Sequence, residues 1–252
     1  MRETVHLGRV SCDFMNPEEF MRLCSRWLTS DNFHHVVTLN PEMVMLAEGN
    51  GAFREAVQAA EARVPDGAGL VWARWYLRSS YWPLLPSLLT FLWQPVERVT
   101  GVDAIMTLGR LCQEQGLSIY LLGATKKQRQ KTAAKLTSRF AKLSVAMPPE
   151  RIHDQHPAVL LVAYGALKQT LWIERQRGHM PSVRIAMGVG GAFAMLSEGL
   201  PRAPRLLRAL NLEWLWRLYL EPRRWPRIWQ ATVRFPLLMR RQKKLHHNKW
   251  LI

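Results

Sequence analysis

The sequence predicts an α/β fold: a Rossmann-like parallel sheet core with helices on both faces, plus a basic, Trp-rich helical C-terminal appendage. Three observations carry this reading. Short β-branched and aliphatic runs alternate with longer amphipathic segments, as strand–helix units require. Most of the runs end at a glycine or an Asn-Pro pair, the punctuation of a strand turning into a helix. After Pro201-Arg202-Ala203-Pro204 the composition shifts towards Arg and Trp, which sets a boundary between a core over 1–200 and an appendage over 201–252.

The elements follow in order. Asn16-Pro17-Glu18-Glu19 reads as a cap, a proline at the first helical position and a glutamate three residues after the cap. Phe20, Cys24, Trp27 and Leu28 then share one helical face. His35-Val36-Val37-Thr38-Leu39 is a buried strand, and Asn40-Pro41-Glu42 starts a helix directly after it. Strands are expected at Ile119–Gly123, Val159–Ala163 and Val183–Met187, and helices over Lys126–Phe140 and Lys168–Arg177. Parallel strands put ligands at their carboxyl ends, where Thr38, Asn40, Asp66, Gly165 and Gly188 fall.

The chain has 252 residues and a formal charge of +16, which implies a polyanionic partner. From Pro201 to Ile252 there are 13 Lys and Arg against Glu213 and Glu221, together with five of the eleven Trp. Arg mixed with Trp suits an anionic membrane interface, where rings sit at headgroup depth. Cys12, Cys24 and Cys112 lack CxxC spacing and read as reduced thiols. No charge interrupts the chain between Arg78 and Glu97, but Pro83, Pro86 and Pro95 break that apolar run below the length of a membrane span. It reads either as a buried helix or as a loop dipping into the interface between Trp82 and Trp93.

No GxSxG, P-loop, HExxH or zinc-spaced Cys/His cluster is present, and Gly188-x-Gly190-Gly191 lacks the third glycine of a dinucleotide fingerprint. No metal site or cofactor is expected; the paired histidines read as packing or surface residues. Taken singly, the remaining motifs have plain readings. Asn40 can simply cap a helix, Asp66-Gly67 can be a turn, and Arg98 and Asp103 can form an ion pair and a cap.

Together they have a different reading. Thr38-Leu39-Asn40, Asp66-Gly67-Ala68-Gly69, Glu97-Arg98-Val99-Thr100-Gly101-Val102-Asp103 and Leu121-Leu122-Gly123 run in order along the chain. Gly165-Ala166-Leu167-Lys168-Gln169, Gly188-Val189-Gly190-Gly191-Ala192-Phe193, Arg202-Ala203-Pro204, Leu212-Glu213-Trp214-Leu215-Trp216-Arg217 and Glu221-Pro222-Arg223-Arg224 follow. This series, over about residues 5 to 235, resembles the WecG/TagA/CpsF glycosyltransferases. The chain departs from the family pattern at Thr170, where a Glu is usual, and at Ala194, where an Asp is usual.

The resemblance implies an inverting, metal-independent transfer from a UDP-sugar, which is a substrate and not a cofactor, to a polyprenyl-diphosphate-linked sugar acceptor. It assigns the general base to Asp66. Thr38, Asn40, Gln169, Arg98, Asp103, Gly188 and Gly190 would bind substrate, and Arg217, Arg224 and Arg227 would meet the lipid diphosphate. The expected location is the cytoplasmic face of the bacterial inner membrane, held peripherally; a homo-oligomer is compatible with this reading. The donor sugar stays open between ManNAc, its uronic acid ManNAcA and a hexose. Two rival readings account for the charge: a catalytically inactive membrane-associated scaffold, suggested by Thr170 and Ala194, and a nucleic-acid-binding protein, which leaves the motif series unexplained. The expected partners therefore include no nucleic acid.

Overall fold

The computed structural model describes residues 2–79, 83–91, 99–197, 204–210 and 212–248. Its centre is a six-stranded parallel sheet in the order β4-β3-β8-β7-β5-β6. The strands are β3 (His34–Leu39), β4 (Ala62–Pro65), β5 (Ser118–Gly123), β6 (Ser144–Ala146), β7 (Val159–Ala163) and β8 (Ile185–Gly188). Before them an antiparallel hairpin, β1 (Glu3–Leu7) and β2 (Val10–Phe14), turns at Gly8. The fold is the α/β sheet that the sequence predicts, and the C-terminal region is helical.

Alternation along the strands divides the core between the two faces of the sheet. Val36, Leu121, Leu161 and Met187 face one way, against Phe20, Cys24 and Leu28 of the helix Pro17–Leu28 and Ile105 and Leu108 of the helix Gly101–Gln115. Leu39 and Val37 face the other way, against Met43, Phe53, Leu70 and Trp72. On that second side Leu160, Val162 and Ala186 meet Ile173 of the helix Ala166–Gln176.

The local signals act as expected. Asn16 and Glu19 close a capping box, with the Asn16 side chain accepting from Glu19 N–H at 2.8 Å and Glu19 accepting from Asn16 N–H at 3.0 Å. Asn40 caps the helix Pro41–Gly49. The three cysteines are buried free thiols, and burial pushes Cys112 up to about 12.

Three elements differ from expectation. The last strand begins at Ile185, because Val183 donates its N–H to the Met180 carbonyl in a turn and not to the ladder. The helix expected from Lys168 starts at Ala166, directly after Gly165 (φ 83°). The apolar run contains a helix, Leu84–Phe91, that fits neither expectation alone: Ser87 and Phe91 are buried, whereas Leu85 and Leu89 are 72% and 62% exposed. Trp82 and Trp93 lie outside the described residues. Among the described residues no helix is long and apolar enough to cross a membrane.

Beyond residue 204 come the helices Arg205–Ala209, Glu213–Leu220 and Trp225–Trp229, a π-helical turn over Gln230–Arg234, and the helix Phe235–Asn248. This last helix lies in the groove beside the helix Ala68–Arg78. Phe235 and Met239 are fully buried there, with Phe235 edge-on to Trp72 at 6.4 Å between ring centroids.

Candidate active site

The sheet opens where strand connections diverge. β3 leads outward to β4 on one side and β5 leads outward to β6 on the other, with β8 and β7 between them. In such sheets the crevice beyond the carboxyl ends of the central strands is the place for a ligand.

Four segments converge there. At the end of β3, buried Thr38 donates its hydroxyl to the Gly188 carbonyl of β8 at 2.9 Å. One residue past the strand, the Asn40 side-chain oxygen accepts from Met43 N–H at 2.9 Å, so the cap uses the oxygen while the amide NH2 adds two donors to the same turn. Asp66 follows β4, and its backbone N–H donates to the Leu39 carbonyl at 2.6 Å. The carboxylate is thereby carried by a half-buried residue beside the Thr38–Asn40 turn. Gly67 (φ 100°) turns the chain into the helix Ala68–Arg78. Gly69 has no room for a side chain, because a Cβ there would lie 2.7 Å from the Pro41 ring. These two glycines let the Asp66 and Asn40 turns pack against each other.

The third and fourth segments meet on the other side. Thr100 and Asp103 close a capping box at the start of the helix Gly101–Gln115. The Asp103 carboxylate accepts from the Thr100 hydroxyl at 2.6 Å and is exposed, so its observed role is the cap. Gly101 approaches the turn after β8: a Cβ on it would stand 3.6 Å from Ala192 and 3.8 Å from the Val189 carbonyl. Gln169 lies beneath that turn, only 3% exposed, and accepts from Gly190 N–H at 3.1 Å. Its amide nitrogen lies so close to Gly188 that a Cβ there would come within 2.5 Å. Gln169 therefore holds the Gly188–Gly190 turn from below. Thr170, standing where the family pattern has Glu, is buried and donates its hydroxyl to the Ala166 carbonyl of its own helix at 2.9 Å.

The basic residues divide. Arg227 approaches Glu42 at 3.3 Å, in the first turn after Asn40, which brings the C-terminal region to the rim of the crevice. Arg224 pairs with Glu221 at 2.7 Å within its own segment. Arg217 lies on the helix Glu213–Leu220, but its side chain and the whole of Arg98 lie outside the described residues. Sequence reasoning missed Glu42 as the partner of Arg227, and Gly69 as the contact that seats Pro41. Gly69 was legible as a second glycine after Asp66; the Glu42 pairing joins distant parts of the chain and had no local signal.

At the opposite pole, a polar network ties the amino end of β3 to its surroundings. Buried His35 meets Glu174 at 2.5 Å, and Arg177 bridges Glu174 at 3.0 Å and Glu61 at 2.8 Å. Burial alone would raise the Glu174 carboxyl, but hydrogen bonds from His35 and Arg177 outweigh it and hold the group below its ordinary value. This network braces the sheet far from the crevice.

Comparison with known proteins gives the family. The sequence is similar to an N-acetylglucosaminyldiphosphoundecaprenol N-acetyl-beta-D-mannosaminyltransferase of Staphylococcus aureus (strain MRSA252), 26% identical over 232 residues, which cover 87% of this chain and 85% of the relative. Residues 5–249 match the family described as Glycosyl transferase WecG/TagA/CpsF family. With nearly its whole length matched, the chain belongs to the WecG/TagA/CpsF family of glycosyltransferases.

Proposed function

We propose that this glycosyltransferase moves an N-acetylmannosamine-type sugar from a UDP donor to a polyprenyl-diphosphate-linked N-acetylglucosamine acceptor, with inversion and without a metal ion, at the cytoplasmic face of the membrane. The name of the Staphylococcus relative supports the acceptor and the sugar class. The observation that carries the mechanism is the position of Asp66, fixed through its own N–H to the end of β3 beside Thr38 and Asn40.

The acceptor hydroxyl attacks the anomeric carbon and gives its proton to the Asp66 carboxylate. A C–O bond forms to the acceptor as the C–O bond to UDP breaks on the opposite face, and the diphosphate leaves with the electron pair. Thr38 and the Asn40 amide line the donor side, while the Gly188–Gly190 turn, held by Gln169, offers backbone close to the sugar. Arg98 and Asp103 contact the substrate in this reading. Arg217, Arg224 and Arg227 supply the positive charge for the diphosphates; Arg227 exchanges Glu42 for phosphate, a bidentate partner for guanidinium. Residues 201–252 thus complete the site that 1–200 begin.

Asp66→Asn tests the proposal. A positioned base contributes roughly 10²–10⁴-fold in rate, so UDP release with a lipid-linked acceptor should fall by at least the lower figure while the thermal transition stays in place. Unchanged turnover in that variant removes Asp66 from the chemistry. A wild-type chain that releases no UDP from any donor in a panel of UDP-ManNAc, UDP-ManNAcA and UDP-glucose favours the scaffold reading.

A further inference from the structure

We propose that the outer face of the helix Leu84–Phe91 is a wedge that inserts into the lipid leaflet, separate from the basic C-terminal region. The proposal deepens the reading above by naming the element that seats the enzyme at its lipid-linked acceptor.

Four residues of this helix at i, i+3, i+4 and i+7, namely Leu84, Ser87, Leu88 and Phe91, turn towards the core, where Phe91 meets Trp75 at 6.3 Å between ring centroids. Leu85 and Leu89, at i and i+4, form the opposite edge and face outward. The two hydroxyls on the helix are satisfied within it. Ser87 donates to the Leu84 carbonyl at 2.6 Å and Thr90 to the Pro86 carbonyl at 3.0 Å. A helix that answers its own polar groups needs no water on its outer side. No charged residue occurs from Ser79 to Val96, so nothing on this stretch opposes entry into an apolar phase.

Charge on the neighbouring helix selects the occupant. Lys243 of the helix Phe235–Asn248 donates to the Tyr76 carbonyl at 2.7 Å and to the Ser79 hydroxyl at 2.8 Å, at the carboxyl end of the helix Ala68–Arg78. The apolar helix is fastened to that same platform through Trp75. Exposed Arg240, Arg241 and Lys244 therefore stand on an element that shares its support with the leucine edge. An exposed apolar edge and exposed cations carried on one support match an anionic bilayer, in which headgroup phosphates meet the cations and acyl chains receive the leucines.

The test is co-sedimentation of the full chain with phosphatidylglycerol–phosphatidylethanolamine vesicles and with neutral phosphatidylcholine vesicles, at low and high salt. The wild type should retain a salt-resistant bound fraction on the anionic vesicles. Leu85→Ser with Leu89→Ser should lower that fraction by at least about tenfold, a modest share of what two buried leucines contribute. Its melting curve should not move, since both side chains are already exposed. The same variant should transfer sugar at the wild-type rate to a short-chain acceptor in detergent. Equal salt-resistant binding by the variant overturns the proposal. So does a lipid-free dimer that the variant dissociates, since that outcome gives the face to a second copy. Vesicle binding as expected from a chain that transfers no sugar leaves the wedge standing and sinks the transferase assignment alone.

Discussion

Gln169 leaves Gly188 no room for a side chain. A methyl group on Gly188 would stand 2.5 Å from the Gln169 amide nitrogen, and Gln169 has little room to retreat because it is buried and holds Gly190 N–H. Gly188→Ala should therefore cost ~1–3 kcal/mol of stability, the range for inserting a methyl into a packed interior. In a Gln169→Ala background the same substitution should cost much less, because the opposing side chain is gone. Urea midpoints of the four proteins in the cycle measure the coupling; additive losses would show that the contact is not what excludes a side chain at 188. This residue also marks how far a sequence can be read at this scale. Gly188 and Gln169 were visible as members of a motif series, yet their relation to each other was not: a helix and a strand end meet only once the sheet is formed. Asp103 makes the complementary point: expected as the cap itself, it stands three residues after the N-cap Thr100 and closes a capping box with it.

Strands with dense β-branched runs were readable because burial on both faces leaves them no polar alternation. β3, β5 and β7 were found on that signal to within a residue. The hairpin β1–β2 was missed, although Val10, Cys12 and Phe14 alternate with polar neighbours after Gly8, as a half-covered strand should. The hairpin is anchored by Asp13, a fully buried carboxylate. Arg2, just before β1, reaches it at 2.6 Å and Thr4 of β1 at 2.8 Å, and Arg63 of β4 reaches it through backbone N–H at 2.9 Å and guanidinium at 3.2 Å. Burial by itself would raise this carboxyl, but the Arg2, Arg63 and Thr4 hydrogen bonds prevail and lower it from 3.8. A folded value below the unfolded one means stability that is complete above 3.8 and fades as pH falls through the lower folded value. Asp13→Asn should thus be less stable than the wild type at neutral pH, and the gap should narrow only below that threshold. Denaturation midpoints followed against pH test this; a gap independent of pH would mean that the charge of Asp13 contributes nothing.

Across the whole molecule, the C-terminal region serves two roles that its composition blurs. Its charge and its tryptophans suggested a surface appendage, and much of it is exposed: Tyr219, Trp225 and Trp229 all face outward. The helix Phe235–Asn248 nevertheless carries a buried edge. Phe235 and Met239 close the groove over Trp72 and Tyr76, and Gln242 accepts from Gly8 N–H at 2.9 Å while donating to the His6 carbonyl at 2.8 Å. The chain's end is therefore joined to its beginning across the helix that follows Asp66. The sequence concealed this because Phe235 and Met239 belong to one short apolar run flanked by cations, and their spacing of four has meaning only against a groove elsewhere in the chain. The arrangement couples the exposed basic segment to the α/β core: the stretch bearing Arg224 and Arg227 leads through a π-helical turn into a helix seated in the fold. Phe235→Ala should then behave as a core truncation, losing ~3–5 kcal/mol of global stability. Trp225→Ala, at an exposed position, should stay within about 0.5 kcal/mol of the wild type. If chemical denaturation gives both variants the wild-type midpoint, the final helix is dispensable to the fold, and any part it has in the reaction depends on transient docking.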